Sequence, residues 1–291
     1  MEQIKRMYER QKRGRMKAVI VCVIVYFLMI GILSLFYGNP FSHKEVVLFF
    51  EMEQRGWIYT HGYLLLFCGI AGLVAGIGSA ICRIINDYRV LDRILLQECD
   101  VKKYLELMEC AVSYGKKFSL KGFQGTVFVL AQQKYVLALS ANWKLEEAEN
   151  YLKAGWKGNK NTRLYKQTVM NFNLIKCYIT GNKVGFQEIF MKSGKKFKKN
   201  QLFIAEKLFL EDEYEEVAGV LSGYKGKTLY NEVSRNYLLG RCYDRLGNIK
   251  LAWECMKYTV EHGNTMPCKE KAEEWLGMSS IKLLECNEKF I

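Results

Sequence analysis

Apolar residues are concentrated in two long stretches near the start of this chain of 291 residues. Residues 18–42 and residues 57–82 contain no Asp, Glu, Lys or Arg. About 20 helical residues cross a hydrocarbon core of ~30 Å, so this pattern predicts two transmembrane helices, at about residues 18–38 and 60–82. One such stretch would also suit a buried helix of a soluble protein, but two in succession favour membrane spans.

A cleaved signal peptide is the alternative interpretation of the first stretch. Its apolar region is longer than the ~7–15 residues of such peptides, and no small-residue cleavage site follows it. The next residues, Leu35 to Pro40, combine aromatic side chains with a turn signal, which is typical of a membrane interface. We therefore expect an uncleaved membrane anchor.

Basic residues flank the two stretches unequally. Residues 1–17 carry seven basic and two acidic side chains, whereas the loop between the stretches has only Lys44 and Arg55 as basic residues. Lys and Arg accumulate on the cytoplasmic side of membrane proteins, so the chain is predicted to be a multi-pass protein of the cell membrane with both termini in the cytoplasm. The short external loop contains an apolar segment, residues 46–50, that we expect to lie in the membrane interface. The basic residues after the second stretch are Arg83, Arg89, Arg93, Lys102 and Lys103.

Small residues follow one face of the second predicted span. Gly69, Gly72 and Gly76 recur at three- and four-residue steps, which allows the backbone of another helix to approach closely. The sequence predicts that this face packs against the chain's own first span. A homodimer formed through the second transmembrane helix is the alternative.

The remaining chain, residues 83–291, has the mixed pattern of amphipathic helices. In residues 236–256 the pattern Leu-Gly-x-x-Tyr begins at Leu239 and the pattern Ala-x-x-x-Met begins at Ala252. These two patterns resemble the first and second helices of a tetratricopeptide repeat (TPR).

Three upstream segments repeat the same arrangement. The corresponding second-helix positions are Ala148, Gly185, Val217 and Ala252, spaced 37, 32 and 35 residues apart, close to the ~34 residues of the TPR family. The resemblance implies a TPR-like α-solenoid for residues 83–291. With the two predicted spans, the whole chain is expected to have an all-α fold, in which a two-helix transmembrane hairpin (residues 18–82, after a basic N-terminus of residues 1–17) precedes this solenoid. We expect a first unit that includes residues 100–114 and a closing helix over residues 267–288.

The resemblance also implies a function, because TPR first helices present a concave face that receives peptides. The chain is therefore predicted to be a scaffold for protein–protein interaction on the cytoplasmic face of the membrane. The alternative is a structural or regulatory subunit of a larger membrane complex, for export or the envelope, docked through its transmembrane helices. The partner-binding residues that the resemblance implies, through stacking and charge-assisted hydrogen bonds, are Lys176, Glu206, Tyr237, Arg241, Asp244 and Arg245; the alternative is that these are ordinary solvated side chains.

Composition argues against catalysis and metal binding. The three histidines (His43, His61 and His262) leave most of the chain without this residue, and the ten cysteines include no Cys-x-x-Cys pair. Gly226-Lys227-Thr228 resembles the end of a phosphate-binding loop, but position 221 is Leu where that loop requires Gly. We therefore predict no enzyme activity, no cofactor and no metal.

The net charge of +13 does not by itself identify the partner. Residues 83–291 carry +9 of it, largely in turns. This charge suits a solvated surface, attraction to the anionic inner leaflet of the lipid bilayer, or an acidic protein partner. Nucleic acid is not expected, because no nucleic-acid-binding motif accompanies the charge.

Overall fold

The computed structural model describes residues 2–37, 55–116 and 122–288. The loop predicted to be external, including the apolar residues 46–50, lies outside these ranges except at its very end. All regular structure in the described residues is helical, so the all-α prediction is confirmed. The chain divides into two compact units, Met1–Arg89 and Val90–Ile291.

The first unit contains the helix α1 (Glu2–Tyr37) and most of the helix α2 (Arg55–Leu96). Among the described residues, one helical segment is long and apolar enough to cross a membrane, Leu66–Leu96 in α2, with a mean hydropathy of 1.9 in its apolar window. The apolar segment described in α1, Lys17–Met29, is shorter than a full span. One membrane-length helix is thus present, and the second span and the orientation of the termini stay predictions.

Two of the three glycines on the predicted packing face of α2 lie against α1. A Cβ atom added at Gly72 would lie 2.7 Å from the carbonyl oxygen of Cys22, and one added at Gly76 would overlap the Cys22 sulfur and lie 3.0 Å from the Ala18 carbonyl oxygen. Only glycine allows the two backbones to come this close. A Cβ atom at Gly69 would meet nothing within 4 Å, so this glycine lies outside the contact.

The second unit is an array of helices joined mostly by short turns. Several of these helices begin with a side chain that accepts a hydrogen bond from a backbone N–H of the first turn, as Thr162, Asn182 and Asn248 do. The helices are α3 (Val101–Gly115), α4 (Gly122–Ala141), α5 (Leu145–Asn150, continued by a π-helical turn, Tyr151–Gly155), α6 (Arg163–Thr180), α7 (Lys183–Lys192), α8 (Lys195–Lys198), α9 (Gln201–Leu210), α10 (Tyr214–Ser222), α11 (Leu229–Arg245), α12 (Ile249–His262) and α13 (Pro267–Glu288).

These helices pack in a repeating order. Each of α4, α6, α9 and α11 packs against the helix that follows its turn, namely α5, α7, α10 and α12. In addition, α4 contacts α6, α6 contacts α9, α9 contacts α11, and α11 contacts α13. The first helices of successive pairs therefore form one continuous row, with α13 at its end. The helix expected over residues 100–114 and the closing helix over residues 267–288 are both confirmed, as α3 and α13.

The predicted second-helix core positions are correct in three of the four pairs. Ala148, Val217 and Ala252 are fully buried. The fourth prediction is wrong by one residue, because Gly185 is only partly buried and Phe186 is fully buried in its place. The cause is local: the side chain of Asn182 accepts a hydrogen bond from the Gly185 N–H at 2.9 Å, which fixes Gly185 in the first turn of α7.

The turn within each pair has the same backbone conformation in all four pairs. The first helix ends at a residue with positive φ: Trp143 (57°), Gly181 (71°), Asp212 (65°) and Gly247 (73°). The residue after it donates its backbone N–H to the carbonyl oxygen five positions earlier, at 2.8–3.1 Å. This is the Schellman arrangement, which ends one helix sharply and lets the next begin at once.

The two ends of this array are in contact with each other. The turn between α12 and α13 reaches the turn between α2 and α3, where the Thr265 N–H donates to the Cys99 carbonyl oxygen at 3.3 Å. The Thr265 hydroxyl also donates to the Asp100 carboxylate at 3.0 Å and accepts from the Lys102 N–H at 3.2 Å. These contacts join positions 163 to 166 residues apart in sequence, so the array of helices closes on itself.

Candidate functional site

The row of first helices lines two adjoining cavities of about 280 Å³ and 250 Å³. The smaller one also reaches the start of α13 and the turn after α4. We call the two together the central groove. The residues that line both cavities, and so connect them, are Leu137, Ser140, Asn171, Asn200 and Phe203.

Helical periodicity explains which side chains enter the central groove. On α11, Tyr230, Ser234 and Tyr237 line it at steps of four and three residues, the spacing that places side chains on one face of a helix. Asn171 and Tyr178 on α6 lie at the same total spacing. Each first helix thus contributes a single stripe to the groove.

Glu206 on α9 is the unusual member of the lining. Its Oε2 atom is buried and has no hydrogen-bond partner. Burial without a charge partner penalises the ionised form, and it raises the pKa of this carboxyl group from an ordinary 4.5 to about 8. A carboxyl group in this state is held neutral at pH 7 unless a positive charge approaches it.

The other titratable groups that line the smaller cavity are neutral near pH 7. Burial raises the pKa of the Tyr178, Tyr230 and Tyr237 hydroxyls above their usual value. Burial likewise raises the pKa of the Cys268 thiol to about 12. Among the described lining residues of the smaller cavity, Glu206 is therefore the group that can change its charge near neutral pH.

Arg241 lies beside the groove and is held by aromatic rings of three helices. Its guanidinium carbon lies 4.3 Å from the centre of the Phe209 ring, 5.7 Å from that of Tyr178 and 5.8 Å from that of Tyr237. The same group donates a hydrogen bond to the Tyr178 hydroxyl at 3.0 Å. Cation–π contact and this hydrogen bond fix the position of Arg241 and of the Tyr178 ring.

Only three of the six residues proposed from sequence for partner binding lie at the groove. Glu206 and Tyr237 line the groove, and Arg241 supports it through Tyr178. The remaining three lie elsewhere.

Lys176 contacts Glu149 at 2.5 Å, away from the groove lining. Hydrogen bonds from Lys153 and then from Lys176 lower the pKa of this glutamate to about 2. Asp244 and Arg245 lie at the end of α11, and neither lines either cavity.

Several groove residues were missed by the sequence argument. Tyr230 and Ser234 lie seven and three positions before Tyr237 on the same helical face, so extending the stripe from Tyr237 would have found them. Asn171 and Trp143 belong to other helix pairs, and no local pattern places them beside α11. Among the described residues, no group of three His, Cys, Asp or Glu side chains is placed to hold a metal ion.

Comparison with known proteins identifies no relative of this chain. No protein-family model, no curated protein and no solved structure matches this chain.

Proposed function

We propose that this chain is a membrane-anchored, TPR-like scaffold that binds a protein or peptide partner in the central groove on the cytoplasmic side. The observation that carries the proposal is the continuity of the groove along α4, α6, α9, α11 and α13. A groove that runs across successive first helices has the length and the side-chain variety to accept an extended segment of another chain.

Exposed apolar side chains support the membrane anchor with two spans. On α1, Val19 and Phe27 are 61% and 63% exposed, and on α2, Leu66 and Val74 are 61% and 62% exposed. Contiguous apolar side chains of this size on the outside of a helix pair suit contact with lipid. The basic residues on the two flanks favour a cytoplasmic location for the helical array.

The alternative role, as a subunit docked through its transmembrane helices, has less support. Gly72 and Gly76 are the residues best suited to close packing with another protein's helix, and both are covered by α1 of the same chain. The same contact occupies the face through which a homodimer would form. The groove therefore remains the preferred interaction surface.

The test is a crosslinking capture from native membranes with the full chain and a groove-blocked variant. Ser234→Trp places an indole in the smaller cavity, whereas Glu254→Trp puts the same side chain on the exposed surface of α12. We expect the wild type and the Glu254 variant to capture the same protein and the Ser234 variant to lose it. Equal capture by all three, with loss only when α1 and α2 are replaced by an unrelated anchor, would favour the membrane-subunit role instead.

A further inference from the structure

We propose that the central groove binds a lysine or arginine side chain of its partner, with Glu206 as the counter-ion. This inference rests on the proposed function, since it states which chemical group of the partner the groove recognises. It differs from the acidic partner that the basic charge of the chain suggests.

An unsatisfied carboxyl oxygen is the first argument. Glu206 lines the smaller cavity, and its buried Oε2 atom has no hydrogen-bond partner. A buried polar group without a partner is costly to the folded state, so a ligand group that supplies the missing contact is favoured here. The described residues that line this cavity include no Lys, Arg or His, so none of them brings a cation into it.

Nearby cations of the chain are committed to other partners. Lys207 follows Glu206 in sequence but contacts Glu211 at 2.6 Å. Arg241 lies on the Phe209 ring and donates to the Tyr178 hydroxyl. Neither is available to neutralise Glu206, so we infer that the cation at this carboxylate comes from the partner and not from these described residues.

Aromatic rings around Glu206 complete a site for a cation. Tyr178, Tyr230, Tyr237 and Trp143 all line the same cavity. The faces of Tyr and Trp rings attract ammonium and guanidinium groups, more strongly when water is excluded. A carboxylate beside several such rings favours a basic side chain over an acidic one.

Ionisation of Glu206 should make the affinity for a basic side chain depend on pH. A basic side chain pairs with the ionised carboxylate, so below pH 8 its binding has to displace a proton. The facing groups Tyr178, Tyr230, Tyr237 and Cys268 have raised pKa values and stay neutral through this range. From a pKa of about 8, the ionised fraction rises roughly 25-fold between pH 6.5 and pH 8.5, and affinity should rise by a similar factor.

The experiment is a selection of random heptapeptides on the purified full chain in lipid nanodiscs. The wild type is compared with Glu206→Gln and with Glu215→Gln, a matched change at an exposed position on α10. We expect the wild type and the Glu215 variant to enrich peptides with a Lys or Arg at a fixed position, and the Glu206 variant to lose that preference. For one selected peptide, replacing its basic residue by Met should weaken binding roughly 30-fold or more to the wild type and little to Glu206→Gln.

The outcomes separate this inference from the function on which it rests. If the wild type enriches peptides that the Ser234→Trp variant does not bind, but without a basic residue, the groove is a peptide site and the inference is overturned. The same conclusion follows if affinity for the selected peptide is unchanged between pH 6.5 and pH 8.5. If the wild type enriches no peptide at all, the proposed function itself fails.

Discussion

At the scale of single residues, Glu206 and Arg241 show what a sequence motif can and cannot predict about a site. The positions that the TPR resemblance selected lie on first helices, and two of them, Glu206 and Tyr237, line the groove. It could not show that Arg241 is held by Phe209 and Tyr178, because those rings come from two other helix pairs. Helical periodicity predicts the face on which a side chain lies, but the partners across that face depend on tertiary packing.

Glu206 should make the stability of the protein depend on pH in an unusual direction. Its carboxyl group has a pKa of about 8 in the folded chain against an ordinary 4.5, so the folded state holds its proton more tightly than the unfolded state does. This contribution to stability is present at low pH and is lost as pH rises towards 8. Glu206→Gln should therefore be more stable than the wild type at pH 8, with a difference that shrinks by up to ~1.4 kcal/mol per pH unit on acidification.

Denaturant unfolding of both proteins in detergent at pH 6 and pH 8 measures this difference. Glu149 has its pKa lowered to about 2, so its ion pairs are fully formed at both pH values and add no trend. Glu215→Gln provides the exposed control: because it keeps Glu206, its stability should differ from that of the wild type by the same amount at the two pH values. A Glu206 variant that is less stable than the wild type at pH 8 would contradict the buried, neutral carboxyl group.

At the scale of helices, two of the four turns within pairs were predictable because they carry strong local signals. Gly181-Asn182 and Gly247-Asn248 each place a residue that tolerates positive φ before a helix-capping residue. Trp143 and Asp212 adopt the same conformation without such a signal. Spacing along the chain located those two turns where residue type could not.

Because α1 packs against α2, the glycines of α2 should differ in how well they tolerate a larger side chain. Gly76→Leu would drive a side chain into Cys22 and the α1 backbone, whereas Gly69→Leu would enter open space. We expect the Gly76 variant to lose ~1–3 kcal/mol of stability from overpacking and the Gly69 variant to lose little. Thermal unfolding of the full chain in detergent micelles, followed by a probe on α1, measures both, and equal effects would show that the two helices do not pack through this face.

At the scale of the helical array, the contact between the two ends could not be predicted from the sequence. Thr265 and Asp100 are 165 residues apart, and neither belongs to a repeat motif. A solenoid whose repeats touch only their neighbours opens from its ends. Here each end protects the other, so the terminal helices should be as well protected as the central ones.

Thr265→Val tests this mutual protection. The substitution removes the hydroxyl that joins the Asp100 carboxylate to the Lys102 N–H, at a cost of ~1 kcal/mol. Amide hydrogen exchange should then accelerate both at the start of α3 and in the turn before α13. Thr228→Val, which removes only the cap of α11, should accelerate exchange at α11 alone, and a purely local effect of the Thr265 variant would contradict the closed array.

Closure of the array also limits how this protein can change over evolutionary time. An open repeat array tolerates the duplication or deletion of whole units, since each new unit meets the same kind of neighbour. In this chain, one inserted helix pair would carry Thr265 away from Cys99 and Asp100 and break the contact between the two ends. The number of units is thereby fixed, and we expect descendants of this gene to acquire new partners through substitutions in the groove while the repeat count stays constant.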